Sequence, residues 1–279
     1  MPITLSHVSY VYEPGTPMEA AGVTDISLEI RKGEFLGLIG HTGSGKSTLI
    51  QLLNGLLRPT AGTVCFGGED IFAKKYDRRA LRGRVGLVFQ YPEYQLFEND
   101  VLTDVCFGPK NQGLNAEDAK ARAVKALATV GVPEEYYTRS PFDLSGGEKR
   151  RVAIAGVLAM EPEILILDEP TAGLDPGGRE ELLTLLKTLK EGGLGVVMVS
   201  HSMEDVARFA DRIVVLHEGR VLMDGTPREV FAREAELTRT GLGVPEMRKL
   251  MTALEEGGLR VDKDARTPEE AVRTILSNF

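Results

Sequence analysis

Residues 40–47 read Gly40-His41-Thr42-Gly43-Ser44-Gly45-Lys46-Ser47, and no other stretch restricts the fold of this chain so strongly. The spacing G-x-x-x-x-G-K-S is that of a loop that wraps a phosphate group. Such a loop needs a strand before it and a helix after it. Phe35-Leu36-Gly37-Leu38-Ile39 is a short apolar run suited to a buried parallel strand. Thr48-Leu49-Ile50-Gln51-Leu52-Leu53 has helical spacing. Gly43 and Gly45 let backbone N–H groups turn inward with no Cβ in the way of an anion. The helix N-terminus adds partial positive charge. Lys46 is expected to reach β- and γ-phosphates, and the Ser47 hydroxyl to hold Mg²⁺.

The rest of the chain supplies a sheet around that loop. Residues 3–12 and 24–30 are expected strands, and Asp25–Ile30 alternates as on a half-exposed antiparallel sheet. Gly62–Phe66 is expected to join them. Tyr12, at a strand end, either stacks on an adenine ring or packs locally. Val85–Phe89 forms a strand ending at Gln90. Glu163–Glu169 is a buried parallel strand with two carboxylates at its C-terminal end, where ligands bind in open α/β sheets. Asp168 therefore belongs beside the phosphate loop, as the acidic residue that holds Mg²⁺ through water. Glu169 points elsewhere and is placed to take a proton from an attacking water. Gly195–Ser200 is another strand. His201 follows it on the same sheet edge as Asp168 and Gln90, which favours a γ-phosphate contact over a structural role. Ile213–Leu216 and Arg220–Met223 suit a closing hairpin.

Helices fill the intervals. Residues 115–131 are amphipathic with Asn115 as cap. Ser145 followed by Glu148 reads as a capping box, so a helix starts there and runs to about Met160, buried on most sides. Ser202 and Asp205 start a helix, as do Thr226-Pro227-Arg228-Glu229 and Thr267-Pro268-Glu269-Glu270. From about residue 230 no strand-like run remains, and two amphipathic helices are expected in a C-terminal appendage. Residues 89–107 are dense in aromatics: Phe89, Tyr91, Tyr94, Phe97 and Phe107. They form either a docking surface or a small core under a loop.

Composition narrows the partners. The formal net charge of −8, without a long basic run, argues against nucleic acid. Cys65 and Cys106 are far apart and lack metal-ligand spacing, which fits a cytoplasmic setting. No signal peptide is expected, and no apolar stretch approaches the ~20 residues of a spanning helix. Any work at a membrane then needs a separate partner.

The order of motifs is distinctive: phosphate loop, Gln90, Leu144-Ser145-Gly146-Gly147-Glu148, Ile166-Leu167-Asp168-Glu169, Leu174-Asp175, His201. It resembles the nucleotide-binding subunit of ATP-binding cassette (ABC) transporters over residues 3 to about 225. The resemblance implies an α/β fold, a P-loop NTPase with a RecA-like parallel-sheet core. It adds an N-terminal antiparallel β subdomain and a helical signature subdomain at about 91–155. The ATP-binding domain would occupy residues 1–229. Residues 230–279 would be a helical extension, expected either to contact a second ATPase or to pack on their own cassette.

It further implies a head-to-tail dimer around two ATP molecules with Mg²⁺. Gly40, His41, Thr42, Gly43, Ser44, Gly45, Lys46, Ser47 and Thr48 would hold ATP, with Tyr12 on the adenine. Gln90 would sense Mg²⁺ and the γ-phosphate. Ser145, Gly146 and Gly147 would contact the nucleotide of the partner subunit, and Asp175 would lie in the loop that crosses the dimer. Glu169 would be the general base and His201 the switch histidine. Glu148 departs from the Gln common in the family, which preserves the capping box but adds a charge. The segments 86–109 and 145–176 are most similar to ATPases of energy-coupling factor (ECF) transporters, which import vitamins and transition-metal ions. There two ATPases, the same or paralogous, drive a membrane coupling subunit and a substrate-binding membrane subunit. The ATPases would lie peripherally on the cytoplasmic face. A soluble cassette ATPase of DNA repair or the ribosome would carry coiled-coil insertions or a second cassette, which this chain lacks. An exporter subunit stays open from the cassette alone.

Overall fold

The computed structural model describes residues 1–278. The chain begins with β1 (Ile3–Tyr12), β2 (Ala20–Ile30), β3 (Phe35–Ile39), α1 (Lys46–Leu53), β4 (Ala61–Phe66) and β5 (Glu69–Asp70). It continues through α2 (Arg78–Arg84), β6 (Val85–Val88), α3 (Val101–Asn111), α4 (Ala116–Thr129) and α5 (Gly146–Leu158). Then come β7 (Ile164–Asp168), α6 (Pro176–Glu191), β8 (Gly195–Val199), α7 (Met203–Phe209), β9 (Arg212–His217) and β10 (Arg220–Gly225). It closes with α8 (Pro227–Ala232), α9 (Glu234–Arg239), α10 (Glu246–Glu256) and α11 (Pro268–Leu276).

The strands form two sheets, ordered β2-β1-β4-β5 and β10-β9-β3-β8-β7-β6. The first is antiparallel. In the second, β6, β7, β8, β3 and β9 run parallel, and β10 pairs antiparallel with β9. Their apolar runs are buried on both faces, as a covered parallel sheet requires. The register sets Asp168 beside Val199, and Ile39 beside Val215. The carboxyl ends of β3, β6, β7, β8 and β9 thus share one edge, where the phosphate loop, Gln90, Glu169 and His201 all emerge.

β2 begins at Ala20, four residues before the expected start. Gly22 hides that start, because glycine is depleted in strands. The close approach explains it: a Cβ there would lie 2.8 Å from the Tyr12 ring and 2.9 Å from Thr48.

The aromatic segment resolves into two layers. Leu96, Val101, Val105 and Cys106 go into the main core. Tyr91, Tyr94, Phe97 and Phe107 stay outside, at 45%, 85%, 56% and 46% exposure. Buried Asp104 accepts hydrogen bonds from the amides of Phe97 and Glu98, both at 2.9 Å, and so fixes the loop beneath the exposed rings.

Four helices follow β10, one more than expected, the addition being α9. Capping boxes form at Ser145 and Thr226. α8 grows directly from the Thr226 cap, and Val230, Phe231, Leu237, Leu242 and Val244 pack into the main core. Beyond them Met251, Ala265 and Ala271 form a small separate cluster. The change in packing therefore falls near residue 245. Of the expected apolar stripes, Leu250, Val272 and Leu276 remain exposed. Phe279, the last residue of the expected appendage, lies outside the described residues.

Candidate nucleotide site

The phosphate loop is clasped from behind. Gly45 has φ 100, and a Cβ there would sit 2.5 Å from the Gly22 carbonyl oxygen, so β2 presses against the loop. From the β9–β10 turn, the Gly219 amide donates to the Ser44 carbonyl at 3.1 Å. The rings of His41 and His217 meet edge to face with centroids 5.3 Å apart. Thr48 is buried in the first turn of α1, and its Oγ1 lies 2.9 Å from the Tyr12 hydroxyl. Tyr12 is 38% exposed and meets Tyr10 edge-on. It therefore stands beside the loop with ring surface still open to solvent.

Lys46 is buried, and its Nζ donates to the carbonyls of Gly40 at 2.6 Å and His41 at 2.9 Å. Burial lowers its pKa, while the charges of Glu169 and Asp168 act the other way. The ammonium is thus desolvated and held in the mouth of the loop, where fixed positive charge acts most strongly on an anion. Burial raises the Asp168 pKa, against the opposing effects of Lys46 and Ser47.

Glu169 leaves the strand with φ 50, a left-handed conformation that turns its side chain away from the direction of Asp168. Burial pushes its carboxyl up to about 7; the His201 amide lowers it, and the Asp168 charge raises it further. Its Oε2 accepts weakly from the His201 amide at 3.4 Å. Its Oε1 is buried with no hydrogen-bond partner, although His201 Nε2 lies 3.1 Å away, because the angle does not form a bond. A buried carboxylate oxygen with a free lone pair is suited to accept a proton from water. The His201 side chain is half exposed, and burial followed by the Lys46 charge lowers its pKa.

The other expected residues stand apart. Gln90 is exposed just beyond the end of β6. Ser145 and Gly146 are exposed at the start of α5, and no hydrogen bond or ion pair among the described residues joins Ser145, Gly146 or Gly147 to the phosphate loop. Asp175 caps α6 by accepting from the Gly178 amide at 2.7 Å. Its fold role is a helix cap. Thr42 and Gly43 of the phosphate loop are exposed.

An ABC transporter model matches residues 23–172. The energy-coupling factor transporter ATP-binding protein EcfA2 of Symbiobacterium thermophilum is 56% identical over 99% of this chain and 96% of its own. EcfA2 of Caldanaerobacter subterraneus is 51% identical over 99% of this chain and 97% of its own. Among solved structures, cbiO1 of Clostridium perfringens, part of the ABC transporter complex cbiONQ, superposes with a TM-score of 0.76. It is 37% identical and covers 91% of this chain and 98% of its own. A dimeric ATP-binding cassette bound to ADP and Pi has a TM-score of 0.70 at 32% identity, over 81% of this chain and 99% of its own.

The chain belongs to the ABC transporter family.

The site residues fall into two groups. Lys46, Ser47, Asp168, Glu169 and His201 are gathered here by one sheet edge. Ser145–Gly147 form a separate exposed helix start. Two features escaped sequence reading. Asp205 was legible only as the third residue after a cap. Its amide does donate to Ser202 Oγ, but its buried carboxylate takes the Arg179 guanidinium, with contacts of 2.7–3.1 Å. A two-pronged charged partner outcompetes the single amide of a reciprocal cap. Arg150, in the charged first half of α5, was likewise invisible as a buried group.

Proposed function

We propose that this chain is the ATP-hydrolysing subunit of an ECF-type ABC importer. The observation that carries the reading is likeness to EcfA2 proteins along the whole chain, at 56% and 51% identity. The site chemistry supports it. Lys46 and the loop amides from Gly40 to Thr48 bind the phosphates, and Tyr12 lies against the adenine. Glu169 Oε1 accepts a proton from the attacking water, and His201 contacts the γ-phosphate. No cluster of three or more His, Cys, Asp or Glu among the described residues could hold a metal. Mg²⁺ would instead be held by Ser47, Gln90 and Asp168 together with phosphate oxygens, which fits its preference for few protein ligands. The ion would supply positive charge against the phosphates.

Ser145, Gly146 and Gly147 reach the nucleotide of a second ATPase, identical or paralogous, in a head-to-tail pair. Asp175 lies in the loop between the two, and residues 230–279 help to hold the pair. No described helix is long and apolar enough to cross a membrane. Translocation then depends on an integral coupling subunit and a substrate-binding membrane subunit, with this chain peripheral on the cytoplasmic face. The exposed aromatics Phe89, Tyr91, Tyr94 and Phe97 offer the coupling subunit an apolar face. The cleft of about 1060 Å³ between α2 and the end of α3 offers a groove.

Purification through a tag on this chain from detergent-solubilised membranes tests the proposal. Two hydrophobic membrane proteins and an ATPase partner are expected in the eluate, with ATPase activity. Recovery only in the soluble fraction, with ribosomes or DNA, would overturn it.

A further inference from the structure

Arg150 is 4% exposed although it lies only four residues beyond the exposed start of α5. Its Nη1 donates to the carbonyls of Pro170 at 2.9 Å and Ala172 at 2.7 Å. Its Nη2 approaches both oxygens of Glu93, at 3.3 and 3.4 Å. Its Nε is buried with no partner. A buried guanidinium with an unsatisfied donor is costly, and an apolar side chain of similar volume often stabilises as well or better. Filling space is therefore a poor reason for this residue. Its planar fork does something no apolar chain can do, which is to hold two carbonyls and a carboxylate at once.

Those three acceptors belong to different working parts. Pro170 directly follows Glu169. The Ala172 amide donates to the Glu169 carbonyl at 3.2 Å, so the turn that starts at Glu169 is closed by a residue Arg150 also holds. Across that turn Thr171 Oγ1 donates to Asp205 at 3.3 Å. Glu93 sits in the 3₁₀ turn Pro92–Gln95, between the exposed rings of Tyr91 and Tyr94. The carbonyl bonds are of full strength, while the carboxylate contacts are longer than the 2.7–2.9 Å typical of such charged pairs. Arg150 thus grips the Glu169 turn firmly and Glu93 loosely.

We infer that Arg150 is a positioning residue for hydrolysis: it sets the turn of the base Glu169, and Glu93 sets Arg150. The inference rests on Glu169 being that base.

The test uses the assembly purified from membranes through the tagged chain, or the purified chain if no membrane partner accompanies it. Three variants are compared with wild type: Glu93→Gln, Arg150→Lys and the two combined. A Lys cannot span both carbonyls and Glu93. Displacements near 1 Å at a reacting group cost up to ~10²-fold, so Arg150→Lys is expected to lower kcat about tenfold. Glu93→Gln should lower it less, with ATP affinity and Tm within error of wild type. The combined variant should be no slower than Arg150→Lys alone, because both act through one group. If Arg150→Lys does not fold, Glu93→Gln decides alone. Unchanged kcat per folded protein in Glu93→Gln, or losses that simply multiply, would overturn the inference. Failure of the underlying reading shows separately, as wild-type turnover in Glu169→Gln.

Discussion

The phosphate loop and the start of α5 are both glycine-containing helix N-termini, yet the chain treats them oppositely. The first is enclosed. β2, the β9–β10 turn and Tyr12 close around it, and Lys46 and Asp168 are held in its mouth. The second is bare. Ser145 accepts from Glu148, Glu148 accepts from Ser145, and Gly146 is exposed, with no described residue within 4 Å of where its Cβ would lie. A helix start carries partial positive charge, so an open one can receive an anion. The contrast fits the proposed pair, in which each chain would offer its open helix start to the nucleotide held by the other.

Breaking the enclosed half should have the largest effect. Glu169→Gln is expected to retain ATP and to lose turnover ~10²–10⁴-fold, the range for removal of a general base. Steady-state hydrolysis at the wild-type rate would remove Glu169 from that role. Lys46→Ala acts earlier, on binding. Losing charged hydrogen bonds to the phosphates costs ~1.5–3 kcal/mol, or roughly 10- to 100-fold in affinity. Calorimetry giving equal affinity would contradict it.

Much of the enclosed half was legible in sequence, because each of its parts is a local pattern. Phe35–Ser47 is a strand, loop and helix in order, and Glu163–Glu169 is an apolar run that ends in two acids. What stayed hidden were contacts between distant segments. The partner of Arg150 lies 57 residues away, and that of Asp205 lies 26 away. The start of β2 was masked by Gly22, a residue whose reason is a ring from another strand. The aromatic segment read two ways because periodicity cannot tell which apolar residues face in. There the aliphatics went inward and the rings outward. In the C-terminal part the helices were legible but the packing boundary was not, since Val230 and Phe231 look the same whether they bury at home or in a partner.

That boundary sharpens the comparison at the level of the pair. Cutting after residue 228 removes five side chains from the main core. At ~1.5–3 kcal/mol each, the loss rivals the ~5–15 kcal/mol that holds a domain folded. Aggregation is expected. A cut after Val244 spares that core, so the protein should fold and bind ATP but pair less well, as light scattering would reveal. Undiminished pairing and hydrolysis would exclude a dimer role for residues 245–279.

A smaller effect concerns pH. Burial raises the Glu169 carboxyl to about 7, and a base must be unprotonated to act. Hydrolysis should therefore rise through neutrality as pH increases and fall severalfold toward pH 6. The residual rate of Glu169→Gln should lack this dependence. An identical acid limb in both proteins would assign the titration to another group.

The two halves meet most directly in a count of trapped nucleotide. The assembly is purified from membranes with Glu169→Gln in the tagged chain and the equivalent change in the partner ATPase, loaded with ATP, and passed through gel filtration. ATP is expected to remain bound, because slow hydrolysis leaves it sandwiched. Adding Ser145→Arg, which blocks the open half alone, should release the ATP held by the second ATPase without weakening ATP binding to the separate chain. Equal retention with and without Ser145→Arg would show that the exposed helix start has no part in the ATP site.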